Sequence, residues 1–326
     1  MAAETEQLAS AGPSLEHFPV SFFASVMGLS GLTLAWGKAA QVAGATTIAP
    51  SVLAHLTAAV FVVLAGFYIA KAIWYPQAVR ADYLHPVRLH FIPTISISMI
   101  LLSAVGLREE SWLAFPMFVG GAGLHLLFTL AVLNSWFNRD CFEPVHLNPA
   151  WFIPIVGNVL VPLAGVAQGY VEVSWFFFSI GIVFWLVLFS IITNRVLFHH
   201  PLPEKLAPTL FILVAPPAAA FLSYMKLVGE IDVLARVLFY FALFMTLFLM
   251  TQVPRLMRLK FSLAWWAYSF PLAAITAASW TMYERVGGDG FQILSTVLLL
   301  LVTVVVGMLV VRTGLAVSRG QIGLPE

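Results

Sequence analysis

Apolar runs of about twenty residues alternate with short polar breaks along the chain, and the alternation occurs ten times. The runs fall near 18–36, 52–74, 88–107, 112–137, 150–169, 173–197, 206–226, 231–252, 261–283 and 290–312. About 20 residues in a helix suffice to cross a bilayer core of about 30 Å. The breaks, among them PQAVRADYLHP, GLREES, NRDCFEPVHLNP and MYERVGGDG, concentrate charge, Pro and Gly. The shortest lies at Gln168–Glu172, after a fifth run that Pro162 also interrupts. The pattern predicts an all-α integral membrane protein of ten transmembrane helices. It has a polar N-terminal segment at 1–17, one membrane domain at 18–313 and a C-terminal segment at 314–326.

A second periodicity divides the helices into two kinds. Each odd run carries proline behind an aromatic or small apolar residue: His17-Phe18-Pro19, Phe91-Ile92-Pro93, Phe152-Ile153-Pro154, Val214-Ala215-Pro216-Pro217 and Ser269-Phe270-Pro271. No even run has an interior proline. Interior proline removes a backbone hydrogen bond and kinks a helix. In hydrocarbon such a kink is kept where protein or a water-filled cavity satisfies the freed carbonyl. The alternation therefore predicts helical hairpins whose odd members form an inner ring around a pore and whose even members face lipid. Between Phe18 and Trp36, between Leu89 and Leu107, and along the fifth, seventh and ninth runs there is no Asp, Glu, Lys or Arg, apart from Lys226 at the very end of the seventh. Small residues such as Ser25, Gly28, Gly31, Ser96, Gly157, Asn158 and Ala273 recur there and permit close helix packing. Packing alone accounts for many of them singly.

Composition agrees. Hydrophobic residues make up 61% of the chain and charged ones 10%, with mean hydropathy +0.95, against about 25% charged in soluble domains. A net charge of +1 gives no basic face for nucleic acid. The single cysteine, Cys141, excludes an internal disulfide and a cysteine-only metal cluster. The acidic, polar N-terminus lacks a basic region ahead of a short apolar core, so no cleaved signal peptide is expected. Lys and Arg in the loops divide eleven to five, which puts the even-to-odd loops and both termini in the cytoplasm. His55, His90 and His125 fall at different depths, and His199-His200 read as a solvated loop pair, so no metal or haem site is expected. No serine, cysteine or carboxylate arrangement suggests catalysis.

Pumps and coupled carriers bury ionisable groups in the membrane, and cation pores often use rings of Asp or Glu. Neither pattern is present on the odd runs, and with basic cytoplasmic loops this favours an anion as permeant. Carbonyls freed at proline repel anions. Selectivity is therefore expected from missing negative charge, from hydroxyls such as Ser96 and from the electrostatics of the mouths.

The chain resembles the TehA / slow-anion-channel family, also called the tellurite-resistance and dicarboxylate transporter family. The resemblance rests on Arg80-Ala-Asp-Tyr-Leu-His-Pro-Val-Arg88, Asn148-Pro-Ala-Trp-Phe-Ile-Pro154 with Gly157-Asn158, Ala215-Pro216, and Trp265-Trp-Ala-Tyr-Ser-Phe-Pro271. It runs from about Phe18 to the end of the tenth run. It implies a quasi-fivefold arrangement of five hairpins and a homotrimer with one pore per subunit, in a bacterial cytoplasmic (inner) membrane. It further implies a gated channel for small monovalent anions such as chloride or nitrate, without a cofactor. A secondary carrier exporting an oxyanion, sulfite or a malate-like dicarboxylate is the alternative. The family plugs its pore with a phenylalanine on the ninth helix, and the matching residue is Phe270; proline restricts the preceding backbone, a local reason for an inward ring. The expected lining is Phe23, Ala24, Phe91, Pro93, Ser96, Phe152, Pro154, Asn158, Phe211, Pro216, Ser269 and Pro271. Ala24 departs from the family pattern, which has glycine there.

Overall fold

The computed structural model describes residues 14–324; residues 1–13 of the expected N-terminal segment, and 325–326, lie outside the described residues. Among the described residues no strand occurs, and nine helices are long and apolar enough to cross a membrane. These are α1 (Val20–Ala43), α2 (Ile48–Trp74), α3 (Arg88–Arg108), α4 (Ala114–Asn138), α5 (Pro149–Gln168), α6 (Val171–Phe198), α7 (Ala207–Leu227), α8 (Val233–Met250) and α10 (Asp289–Ser318). The ninth expected segment is helical too, as α9 (Ser269–Val286) behind a 3-10 stretch Leu263–Tyr268, but it falls outside that set. Its proline, hydroxyls and tryptophans lower its apolarity. It is nonetheless buried from Ser269 to Met282.

The two kinds of helix differ in how they begin. Each even helix is continuous α-helix from its first turn, with Pro50 in the first turn of α2 and Pro116 in that of α4. Each odd helix opens in 3-10 geometry: Val20–Phe23, Arg88–Phe91, Pro149–Trp151, Ala207–Val214 and Leu263–Tyr268. The expectation of interior kinks is thereby corrected. Pro93, Pro154, Pro216 and Pro271 stand at the start of an α-helical stretch that follows a 3-10 one. Proline suits such a start, because its missing N–H belongs to the unbonded first turn and its φ is already helical. α5 changes between the two geometries repeatedly along its length.

Hydroxyl side chains meet several carbonyls at these junctions. Ser25 donates to Phe22 O at 2.7 Å, Thr94 to Phe91 O at 2.6 Å, Thr209 to Leu206 O at 2.6 Å and Ser269 to Trp266 O at 2.6 Å. Across the helix pair α4–α5, Thr129 donates to Pro154 O at 2.7 Å. Acceptors that would be costly in hydrocarbon are thus satisfied within the protein.

Burial follows the same division. In α1, α3, α5 and α7 between 67% and 78% of the apolar stretch is buried, against 17–39% in the even helices. The even helices present Val62, Phe67, Leu127, Leu186 and Val304 outward. α1 runs past the expected end near Trp36, because helix-favouring alanines follow and Lys38 bonds Glu284 of α9 at 2.7 Å. Gly44, at φ +65°, then stops it. The weak fifth-to-sixth break is made by Gly169, at φ +85°.

Candidate functional site

α1 and α9 approach each other closely. A Cβ placed on Gly31 would lie 2.8 Å from Ala273 Cβ and 3.2 Å from Phe270 Cδ2, so only glycine lets the α1 backbone pass this close to the Phe270 ring. A cavity of about 980 Å³ lies on one side of that ring. Ala24 and Met27 of α1, Phe91 and Thr94 of α3, Phe152 and Gly157 of α5, Pro216 of α7, and Phe270 and Pro271 of α9 contribute to its walls. A second space of about 20 Å³ adjoins Phe270, lined without any polar side chain by residues of α1, α3, α5, α7 and α9 alone, Gly31, Leu101, Leu163 and Ala277 among them. Phe270, Leu160 and Ala219 border both spaces. Phe270 itself is 9% exposed.

Six of the residues expected from the sequence therefore share the cavity wall: Ala24, Phe91, Phe152, Pro216, Phe270 and Pro271. The other seven stand behind it. Phe23 packs edge-on against Phe61 and Tyr68, toward α2. Phe211 packs against Tyr268, with ring centres 4.9 Å apart. Ser269 donates to Trp266 O, and Pro93 and Pro154 offer their carbonyls to Ser96 and Thr129. Ser96, expected to meet an anion, is buried instead, with its hydroxyl 2.9 Å from both Pro93 O and His125 Nδ1. Asn158 donates to Thr129 Oγ1 at 2.9 Å and Ile155 O at 2.7 Å.

The histidines remain apart from one another. His125 belongs to this Ser96–Thr129–Asn158 layer, and Gly157 leaves room for its ring. His90 stacks on Trp151 at 4.5 Å and accepts from Trp136 Nε1 at 2.9 Å. His55 is exposed on α2, its Nδ1 2.7 Å from Ser51 O. Among the described residues no group of three His, Cys, Asp or Glu side chains is disposed to hold a metal ion.

Charge enters the cavity wall from helix ends and the segments between them. The odd helices leave the inner part of the cavity uncharged, but Glu16, Lys71, Asp82, Arg88 and Lys205 line its wide end. Lys71 closes α2, Arg88 opens α3, and Asp82 sits on the short helix Pro76–Leu84 between them. Read along the chain, these residues are ordinary loop charges of the kind that set orientation. Only the folding of residues 76–88 back over the helix ends turns them toward the cavity. The C-terminal residues Gln321–Leu324 also line it, and Gly323 O accepts from Ser14 N at 3.0 Å.

The sequence has relatives among known proteins. The profile of a family described as voltage-dependent anion channels matches residues 17–314. The S-type anion channel SLAH2 of Arabidopsis thaliana is 29% identical over 294 residues, which cover 88% of this chain and 56% of that one. The guard cell S-type anion channel SLAC1 of the same plant is 28% identical over 311 residues, 92% of this chain and 56% of its own length. This chain thus spans about half the length of its plant relatives. The tellurite resistance protein TehA homolog of Haemophilus influenzae is 27% identical over 306 residues, covering 93% of this chain and 92% of the relative. The match over nearly all the described helices makes this multi-pass membrane protein a member of the SLAC1/TehA family of voltage-dependent anion channels.

Proposed function

We propose that this protein is a gated anion channel in which ten helices cross the membrane as five hairpins in quasi-fivefold arrangement. Helices α1, α3, α5, α7 and α9 form the inner ring, and Phe270 closes the passage between them. One observation carries the reading: the ring of Phe270 borders both a wide cavity and a narrow apolar space lined only by the odd helices. Apolar constrictions hinder ions by excluding water. The permeants that suit the wall are small monovalent anions, chloride and nitrate among them. No carboxylate lies on the odd helices between their ends, and hydroxyls take up several carbonyls that would otherwise repel an anion. The proposal includes a homotrimer in a bacterial inner membrane, as the resemblance implies, and the loop charges support cytoplasmic termini at the wide end of the cavity. Phe270→Ala in planar bilayers is expected to raise anion conductance several-fold over the unaltered protein. Equal conductance would place the constriction elsewhere.

A coupled carrier is the second reading, favoured by the buried Lys71–Asp82 pair in the cavity wall, 2.7 Å between charged atoms. Anion flux into liposomes that responds to an imposed proton gradient beyond its electrical effect would support it over a passive channel.

A further inference from the structure

Five positive side chains gather in the last quarter of the chain: Arg255, Arg258 and Lys260 between α8 and α9, and Arg312 and Arg319 at the end of α10. All five are exposed, and none makes an ion pair among the described residues. No Asp or Glu stands between Asp232 and Glu284, or between Asp289 and Glu326, which lies outside the described residues. Glu284 and Asp289 belong to the opposite ends of α9 and α10. The carboxylates nearer the wide end of the cavity, Glu16, Asp82, Asp140, Glu143 and Glu204, sit on the N-terminal segment and on the connections preceding α3, α5 and α7. None of them is paired with any of the five cations, and Asp82 is taken by Lys71 and Arg88.

Trp265 brings the two groups together. Phe261, next to Lys260, packs edge-on against it with ring centres 5.8 Å apart, and the Arg312 guanidinium lies 5.8 Å from the centre of the same indole. Trp266 donates to Thr313 at 2.9 Å, which ties this turn of α10 to the start of α9. Phe261, Leu263 and Ala316 line the cavity, so the patch borders its wide end. Buried Leu256 anchors the turn from which Arg255 and Arg258 stand outward. Seven residues return Arg319 to the face of Arg312, about 10 Å farther along the helix.

Charges in a membrane-protein loop ordinarily set orientation, but Arg312 is not a loop residue. It stands inside α10 among the exposed apolar residues Val310, Val311 and Leu315. A charge on such a surface is costly in hydrocarbon. Its long side chain reaches toward the headgroup level, where the face of Trp265 holds the guanidinium. Cations converging there from a loop and a lipid-facing helix match a phosphodiester whose acyl chains run on along Val311 and Leu315. A free anion in water has no use for that apolar flank.

We propose that Arg255, Arg258, Lys260 and Arg312 form a docking site for the headgroup of an anionic phospholipid, with Arg319 adding to its positive field. The site lies outside the cavity and does not depend on the anion-channel reading.

The test is native mass spectrometry of the purified full-length chain in detergent, titrated with phosphatidylglycerol and, in a second arm, with zwitterionic phosphatidylcholine. Phosphatidylglycerol is expected to bind more tightly. One basic residue near a headgroup is worth about fivefold, so Arg312→Gln is expected to raise the half-saturating concentration about fivefold and Arg255→Gln with Arg258→Gln about twentyfold. Arg312→Lys keeps the charge and is expected to retain most of the affinity. Arg236→Gln, at the opposite end of α8, is expected to leave it unchanged. All four altered positions are exposed, so the variants are expected to melt as the parent does. Equal affinity for the two lipids, or unaltered phosphatidylglycerol binding in both Gln variants, overturns the site. Displacement of the lipid by glycerol 3-phosphate at equal concentration would overturn the lipid assignment in favour of a free phosphate. A changed subunit number with an unchanged lipid count in the Gln variants would give this face to a second copy of the chain and overturn the site likewise.

Discussion

Lys71 and Asp82 show how much a single partner matters in this protein. Both side chains are nearly inaccessible, and each makes its shortest polar contact to the other. Asp82→Asn leaves a buried ammonium without its counter-charge, a change that costs about 3 kcal/mol or more where such pairs have been broken. The expected outcome is a clearly lower melting temperature in detergent, recovered in part by Lys71→Met in the same chain. No recovery would mean that Asp82 acts chiefly through Arg88. Asp232 offers a contrasting case at the surface. It caps α8 by accepting from Ala235 N at 2.9 Å and takes a hydrogen bond from Tyr224 at 2.5 Å, and these donors hold its carboxyl below the usual carboxylate range. A depressed folded-state value means the contribution is complete above the ordinary value of about 3.9 and is lost as pH falls through the folded one. Replacement by Asn keeps an acceptor for the cap. The melting temperature of Asp232→Asn is therefore expected to fall less steeply than that of the parent as pH drops below 4.

The helices carry the division of labour, and the contact of α1 with α9 is its tightest point. Gly31→Ala puts a methyl group against Ala273 Cβ and the Phe270 ring, which forces the two helices apart. A loss of about 1–3 kcal/mol is expected from such overpacking, together with a raised basal current as the ring is displaced. Ala273→Gly in the same chain removes the 2.8 Å collision but not the contact with the ring, so it is expected to restore stability in part and to leave the current raised; no recovery of stability would remove the Ala273 contact from the account. The odd–even alternation behind this contact was legible in the sequence, because proline and small residues mark the odd runs. The form of the helices was not. Proline spacing announces a change of backbone geometry but does not distinguish a kink inside an α-helix from a 3-10 start. That distinction depends on hydroxyls such as Thr94 and Thr209, which bond carbonyls three residues back. α9 shows the complementary limit. Its hydroxyls and tryptophans weaken the apolar signal because it is surrounded by other helices rather than by lipid.

For the molecule as a whole, the wall of the cavity is made by helices distant in sequence, and this separates what could be read from what could not. Phe270 and Pro271 stand out through the family resemblance of their motif, and Ala24, Phe91, Phe152 and Pro216 through position on the odd runs; all six line the cavity. Ser96 and Asn158 share that position yet turn toward α4, since a polar side chain on a buried helix goes to its nearest partner, here His125 and Thr129. Lys71, Asp82, Arg88 and Lys205 reach the cavity only through the fold of the connecting segments. The path we propose runs from this charged, net-basic end through an uncharged interior to the ring of Phe270, which borders the narrow space beyond. Its central claim is that anions pass between the five odd helices once Phe270 is removed. The most direct test is the reversal potential of Phe270→Ala in a planar bilayer under a potassium chloride gradient. The account predicts a value close to the chloride equilibrium potential. A value at the potassium equilibrium potential, or no current at all, would contradict it.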